Sequence, residues 1–402
     1  MDGNVIAEAD SLSGFDPAET AIIDEVRRFV ANDVRPNVAR LERESSYPEQ
    51  LVATMRELGL FGLAIAEAHG GLELRLPVFA AVMEELAKGW TSLAAYVNSH
   101  STVAYAIGRH GTDAQRDHYL PRMATGEVRG ALCLTEPGAG SDLQSIATTA
   151  RADGGKFIVK GSKFFVTNGA RAVLLLTLVK TDPAAKPAKN GISLLLIDKD
   201  APGVSVGSTF HKMAYGHVDT VEILLSEATV PESALVGGTA GRGLQQLFDS
   251  LEVGRIAIAA SAVGLAADAL GEAKRYASER KAFGVTIDQH QAVQLRLAEM
   301  ATKLVAARLM TREAARVKAS GARADMISGM AKLFASEACS EIVADALRIH
   351  GGYGYVSEFP IERLYREAPL YIVGEGTNDI QKLVIARRIL EGHEAALLGL
   401  PQ

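Results

Sequence analysis

The segment Thr135-Glu136-Pro137-Gly138-Ala139-Gly140-Ser141-Asp142 is the first whose residue types could do chemistry. Gly138 and Gly140 let backbone N–H groups come close to a ligand, and Thr135 and Ser141 add hydroxyls. It is not a dinucleotide fingerprint, because no GxGxxG follows a first strand, and no P-loop is present. Taken alone, a glycine-rich turn between a helix and a strand is most often only a turn. The second candidate is Glu375, set between Gly374 and Gly376. A glutamate in an arbitrary loop is a solvated charge, but flanking glycines let the backbone bend so that the carboxylate can enter a cleft. Nine histidines are scattered without ligand spacing, and Cys133 and Cys339 form no CxxC pair, so neither a metal centre nor a disulfide framework is expected.

The elements that must position these residues fall into three stretches. Up to about residue 125 the pattern is helical. Asp16-Pro17-Ala18-Glu19 combines an N-cap acid, a first-turn proline and a glutamate three residues after the cap, ahead of Ile22, Ile23, Val26, Phe29 and Val30 at helical spacing. Pro48-Glu49 opens a second helix that Gly59 is placed to stop. Further helical patterns cover Leu76–Lys88 and Ser92–Gly108, and Thr112-Asp113-Ala114-Gln115 is a capping box for another. From about Gly130 the texture is β. Lys156–Lys160 follows the turn Asp153-Gly154-Gly155, Lys163–Thr167 leads into Asn168-Gly169, and Val221–Leu225 is a further strand. The continuous apolar runs Val173–Val179 and Ile192–Ile197 read as strands buried on both faces. From about Gly243 the helical period returns, with Ile256–Lys274, Ala292–Val317, Met326–Leu347 and Asn378–Glu391 expected to form a four-helix bundle. The fold class expected is α+β: a helical domain over 1–128, a β-barrel or sandwich domain over 129–240, and a helical bundle over 241–402.

Composition narrows the function. At 402 residues the chain exceeds the ~250–300 at which single cores stop growing, so two or three domains are expected. Apolar residues at 48% and charged residues at 22% exclude wholesale disorder. A net charge of −6 provides no basic field for nucleic acid or an anionic membrane. The start of the chain is acidic up to Arg27 and carries no targeting pattern, and the longest apolar run, Ile256–Ala267, is too short to span a bilayer. A bacterial cytoplasmic protein is the expectation.

Four segments, in order along nearly the whole chain, resemble the FAD-dependent acyl-CoA dehydrogenases. Thr135 to Asp142 is similar to the family's signature loop, and Lys163-Phe164-Phe165-Val166-Thr167-Asn168-Gly169 to its second flavin-contacting strand. Arg280-Lys281-Ala282-Phe283-Gly284 with His290-Gln291 is similar to its cofactor segment. Ile349-His350-Gly351-Gly352-Tyr353-Gly354 and Glu375-Gly376-Thr377-Asn378-Asp379-Ile380-Gln381 are similar to the terminal pair that carries the base. The resemblance implies removal of two hydrogens from Cα and Cβ of an acyl thioester, with Glu375 as the catalytic base. Some members carry the base on a bundle helix instead; the matching position here is Gly254, which has no carboxylate.

The resemblance also implies the other roles. Leu132, Leu134, Thr135, Gly140 and Ser141 would meet the flavin, as would Phe165, Val166 and Thr167 on the second strand. Arg280, Phe283 and Gln291, with Gly351 and Gly352, would serve the FAD of a neighbouring subunit; Arg348 would lie beside the flavin, and Thr377 and Asp379 would meet the adenine and pyrophosphate end of the cofactor. Ser141, Glu252, Arg255, Gly374 and Gly376 would line the thioester and the CoA arm. Acyl-CoA as substrate, an electron-transferring flavoprotein as acceptor and a homotetramer built as a dimer of dimers follow from the same resemblance, with no metal, no nucleic acid and no membrane insertion. Four departures stand out: Gly374 where medium-chain members have tyrosine, Arg348 where glutamine is common, Phe165 in place of tryptophan, and Lys212–His217 without the usual arginine. The alternatives are a dehydrogenase or oxidase of a carrier-bound acyl thioester, and a non-catalytic interaction protein on the same fold.

Overall fold

The structure, a computed structural model, describes residues 14–392. The reading of the first residues as free of a targeting segment therefore lies partly outside the described chain. Six helices come first: α1 (Pro17–Phe29), α2 (Arg35–Glu44), α3 (Glu49–Glu57), α4 (Leu76–Gly89), α5 (Thr91–His110) and α6 (Asp113–Ala124). Both expected capping boxes form. Asp16 accepts from Glu19 N at 2.9 Å while Glu19 accepts from Asp16 N at 3.0 Å, and Thr112 and Gln115 reciprocate in the same way. A π-turn over Val30–Val34 joins α1 to α2, a helix that its charged sequence did not announce.

The middle of the chain forms a seven-stranded sheet: β1 (Gly130–Cys133), β2 (Thr149–Asp153), β3 (Lys156–Thr167), β4 (Leu174–Lys180), β5 (Ile192–Asp198), β6 (Val204–Thr209) and β7 (Thr220–Pro231). The β1-β4-β5 and β2-β3-β7-β6 groups join only through the pair Thr149–Lys180, so the sheet is two strand groups hinged at one point. Val159, Val166, Leu175, Ile197 and Ile223, drawn from both groups, share one core. Leu174, Leu176 and Leu178, on the opposite face of β4, pack with α5 and α6 in another. This two-sided burial is why β4 and β5 read as unbroken apolar runs. Where the sequence suggested separate strands at 156–160 and 163–167, one continuous β3 runs through two register shifts against β7. The second shift, between Lys163 and Val166, leaves Phe165 at φ +55°. Val173 is exposed and precedes β4, because the ladder with β1 begins at Leu174.

The chain returns to helices with α7 (Gly243–Glu279), a short β8–β9 hairpin (Lys281–Ala282, Val285–Thr286), α8 (Gln291–Ala319), α9 (Asp325–His350), α10 (Ile361–Glu367), α11 (Pro369–Val373) and α12 (Asn378–Leu390). At 37 residues α7 is much longer than the apolar run that suggested it. By length and composition it could cross a bilayer, but 83% of its most apolar window is buried inside the protein, which makes it the core helix of the molecule. Small residues let α4 lie against it: a Cβ at Gly264 would come within 2.3 Å of the Glu84 carbonyl. That close packing fixes the stretch of α7 that carries Glu252, Gly254 and Arg255.

Candidate active site

Glu375 lies in the four-residue gap between α11 and α12. Gly374 N donates to the Leu370 carbonyl at 2.8 Å and ends α11, and the Thr377 hydroxyl accepts from Ile380 N and starts α12. Between these stops Glu375 adopts φ +53° and Gly376 φ +83°. A left-handed glutamate costs of order 1–3 kcal/mol, so the surrounding packing must hold it there. Asn98 Nδ2 on α5 donates to Glu375 Oε1 at 3.3 Å. On the opposite side the carboxylate lies against Gly254 of α7, with Thr102 Oγ1 alongside. Burial is the main influence on the Glu375 carboxyl and pushes it above the usual range; Arg255, Lys332 and the Asn98 bond act in the opposite sense. Among the described residues its backbone N–H makes no hydrogen bond within the chain, leaving a donor beside the carboxylate.

Arg255 is buried, and its Nε has no hydrogen-bond partner. Glu252 is committed elsewhere. It accepts from Lys318 Nζ at 2.8 Å and from Ala324 N at 3.3 Å, while Lys318 also reaches Asp249 at 2.6 Å. A carboxylate engaged in this way is a poor candidate for a second base.

The signature loop is anchored by a residue the sequence reasoning passed over. Glu136 is buried, takes Lys163 Nζ at 2.7 Å and accepts from Thr148 N at 3.1 Å, while Lys163 also donates to the Leu134 carbonyl. Removing either member alone would strand a buried charge, at a cost of about 3–5 kcal/mol. Phe164 N donates to the Thr135 carbonyl at 2.7 Å, tying the loop to β3. Gly138 and Gly140 are not at positive φ, and a Cβ on either would meet open space or only Thr135 Cγ2 at 3.8 Å. Neither glycine is required by the local backbone conformation. What they leave is a loop surface without side chains.

The Glu375 loop and β3 come together through α5. Asn98 bonds Glu375, and the next residue, Ser99, accepts from Asn168 Nδ2 at 3.0 Å, one residue beyond Thr167. Leu132, Leu134, Thr135 and Thr167 are partly buried, Val166 is core, and Gly140 and Ser141 are exposed. Phe165 is 60% exposed and packs on Phe210 with ring centroids 4.7 Å apart. Gly374 is partly buried and Gly376 exposed, while Asp379 is exposed and pairs with Lys382.

A second group lies apart. Arg280 stands over the Tyr353 ring at 5.5 Å, Phe283 is 96% exposed at φ +53°, Gln291 begins α8, and Gly351 at φ +58° and Gly352 close α9. Arg348 is exposed and pairs with Asp345 at 2.8 Å. Among the described residues no hydrogen bond or ion pair links this group to the Glu375 group. Phe283 meets the His290 ring edge-on, with centroids 5.8 Å apart, and otherwise presents its ring to solvent from a strained backbone.

These residues fit FAD. The exposed Phe165 with the hydroxyls of Thr135 and Thr167 offers an apolar face and a polar rim, which suits a flat heteroaromatic ring. Arg280 and the bare Gly351-Gly352 turn suit a diphosphate.

Comparison with known proteins agrees. Three family descriptions match in order: "Acyl-CoA dehydrogenase, N-terminal domain" over residues 16–127, "middle domain" over 131–228 and "C-terminal domain" over 241–390. An acyl-CoA dehydrogenase of Bacillus subtilis (strain 168) is 36% identical over 91% of this chain and 96% of its own. A 3-(aryl)acrylate reductase of Clostridium sporogenes (strain ATCC 15579) is 37% identical over 91% and 96%. The crystal structure of the acyl-CoA dehydrogenase from Geobacillus kaustophilus superposes with a TM-score of 0.89 at 35% identity, covering 94% of this chain and 99% of that one. The chain belongs to the acyl-CoA dehydrogenase family, whose members are FAD-dependent oxidoreductases acting on CH–CH groups.

Asn98, Thr102 and Lys332 were not among the residues picked from the sequence. One signal was there: Asn98-Ser99-His100-Ser101-Thr102 interrupts the apolar stripe of a helix with five consecutive polar residues, all of which are buried. Lys332 offers no such signal, since a lysine in an amphipathic helix is ordinarily solvated.

Proposed function

We propose that this chain catalyses α,β-dehydrogenation of an acyl-CoA thioester to the 2-enoyl-CoA, with Glu375 taking the α-proton. The observation that carries the reading is the Glu375 carboxylate, partly buried on a bent loop, held by Asn98, with Arg255 and Lys332 the positive charges that act on it. The β-hydrogen would leave as a hydride, for which bound FAD would supply the acceptor. Leu132, Leu134, Thr135, Gly140, Ser141, Phe165, Val166 and Thr167 would hold its flavin end. Arg280, Phe283, Gln291, Arg348, Gly351, Gly352, Thr377 and Asp379 would hold its remainder, several of them across a subunit boundary.

An α-proton becomes acidic only when the thioester carbonyl is polarised, so a donor must face the oxygen on which enolate charge develops. The unengaged N–H of Glu375 is suited to that task, being on the same residue as the base. Arg255 and Lys332 favour the ionised carboxylate, while burial raises its basicity. Ser141, Glu252, Arg255, Gly374 and Gly376 would line the thioester and the CoA arm.

The rest of the proposal follows the family resemblance. Electrons pass to an electron-transferring flavoprotein, and the enzyme works in fatty-acid metabolism in the bacterial cytoplasm as a dimer of dimers. The domains divide at 1–128, 129–240 and 241–402. Gly374 beside the base supports an acyl group that is branched, cyclic or aryl-substituted, and the 3-(aryl)acrylate reductase among the relatives supports the same choice.

The test is an anaerobic flavin-bleaching screen over a panel of acyl-CoAs and the corresponding carrier-protein thioesters. Bleaching by an acyl-CoA with formation of the 2-enoyl product is the expected result. Bleaching only by carrier-bound substrates would replace CoA as the thiol. No bleaching by any thioester would remove the assignment.

A further inference from the structure

Helix α9 runs beneath the Glu375 loop, and Lys332 is its fully buried cation. Lys332 Nζ donates to the Ile372 carbonyl at 3.0 Å, the Gly376 carbonyl at 3.0 Å and Asn378 Oδ1 at 2.7 Å. An ammonium has three donors, and all three are used. The acceptors lie three residues before, one after and three after Glu375, so a single side chain ties both limbs of the loop. The acceptors are themselves fixed: Asn378 Nδ2 donates to Ser336 Oγ at 2.9 Å and to Glu337 Oε1 at 2.8 Å, and Gln381 Nε2 adds a second donor to the Gly376 carbonyl at 3.1 Å. Among the described residues Lys332 makes no ion pair, so this buried charge is satisfied by the end of α11, the loop and the start of α12.

We propose that Lys332 is a positioning residue for the reaction, clamping the loop from both sides so that Glu375 keeps the left-handed backbone that aims its carboxylate. The inference rests on Glu375 being the base. The clamp explains how a strained glutamate persists between two glycines, which by themselves would let the loop relax. Lys332 also acts through space. The groups facing Glu375 are Asn98 from α5, Arg255 from α7 with Glu252 and Asp325 around it, and Lys332 from α9 with Glu337 behind it. Of these, Arg255 and Lys332 are the positive charges that favour the ionised carboxylate, so deleting Lys332 must make Glu375 harder to ionise.

The test uses FAD-loaded Lys332→Met and Lys332→Gln with the best acyl-CoA of the panel. Lys332→Met is expected to keep FAD and substrate affinity within about threefold, while its limiting bleaching rate falls roughly 10–100-fold, the scale of a base displaced by about 1 Å. The acid limb of its pH–rate profile should move to higher pH. Lys332→Gln still donates two hydrogen bonds without charge, so it should recover part of the rate and keep the displaced limb. In a Glu375→Gln background the Met substitution should add little, because both changes act on one group. A wild-type rate and limb in either Lys332 variant overturns the proposal, and so does a full additive loss in the Glu375→Gln background. If Lys332→Met cannot be loaded with FAD, the Gln variant decides by the same criteria. Should Glu375→Gln itself bleach like wild type, the base assignment fails and takes this proposal with it; slow Glu375→Gln beside a normal Lys332→Met sinks the clamp alone.

Discussion

The carboxylate of Glu375 fills the space that a side chain at position 254 would need: a Cβ on Gly254 would lie 3.0 Å from Glu375 Oε2 and 3.2 Å from Thr102 Oγ1. The two positions at which the family resemblance allows a base therefore face each other across one small volume. A glycine at 254 admits the carboxylate from 375, and a glutamate at 254 would displace it. Gly254→Ala is expected to fold and bind FAD but to push the Glu375 carboxylate off its position by a few tenths of an ångström. Flavin bleaching should slow by about tenfold, since reacting groups tolerate little displacement. Stopped-flow bleaching under anaerobic conditions measures this, and an unchanged rate would show that the carboxylate moves freely.

Glu375→Gln preserves size and hydrogen bonding while removing basicity. FAD content and ligand binding should stay near normal, while bleaching slows by at least ~10³-fold, within the ~10²–10⁴ range of general-base loss. Glu252→Gln is the control. Its partner Lys318 retains Asp249, so that change should weaken substrate binding with a milder effect on bleaching.

The pH dependence follows from the direction of the shift at Glu375. The base works ionised, and burial holds its carboxyl above the ordinary glutamate value of about 4.3. The rate should therefore rise with pH along a limb lying above that value. Asn98→Ala removes a hydrogen bond that favours the ionised form, so the limb should move further up. A limb that moves down in Asn98→Ala would contradict the role given to that bond.

Arg280, Phe283 and Gln291 lie apart from the Glu375 group, so cofactor retention should depend on assembly if they serve a neighbour's FAD. Arg280→Ala should lower FAD occupancy, read from the flavin absorbance of purified protein. If the protein assembles as the proposed tetramer, diluting it should release FAD as smaller species form, which sedimentation with absorbance detection can follow. A stable monomer with full FAD would count against the shared site.

Gly374 has an ordinary backbone, φ −74° and ψ 156°, so a side chain is sterically possible there. Its Cβ would lie 3.1 Å from the Leu370 carbonyl and 3.8 Å from Leu370 Cδ1, and beyond Leu370 nothing comes within 4 Å. Gly374→Tyr should lower kcat/KM for branched or aryl acyl-CoAs more than for a straight C4–C8 chain. Equal losses on both classes would mean that the open space does not select the substrate.

Local rules carried the sequence reading a long way, and they stop at identifiable places. The capping boxes at Asp16 and Thr112 act within one turn of helix, so four adjacent residues determine them, and both form as expected. The unbroken apolar runs of β4 and β5 announce burial on both faces, and the Gly374-Glu375-Gly376 triplet announces a bend. Strand β6 was not legible, since only Val204 and Val206 alternate with polar or small residues, too short a pattern to announce a strand, and β6 pairs along the edge of β7. Tertiary structure alone decided where the Glu375 carboxylate goes. Asn98, Gly254 and Lys332 come from three helices far apart in sequence, and their convergence around the Glu375 loop depends on the packing of α5, α7 and α9. Lys332 makes the difference plain: its letter in the sequence is that of a solvated charge. Only the fold buries it, and a buried ammonium must find acceptors, which here are the loop that carries the base and the two helix ends beside it.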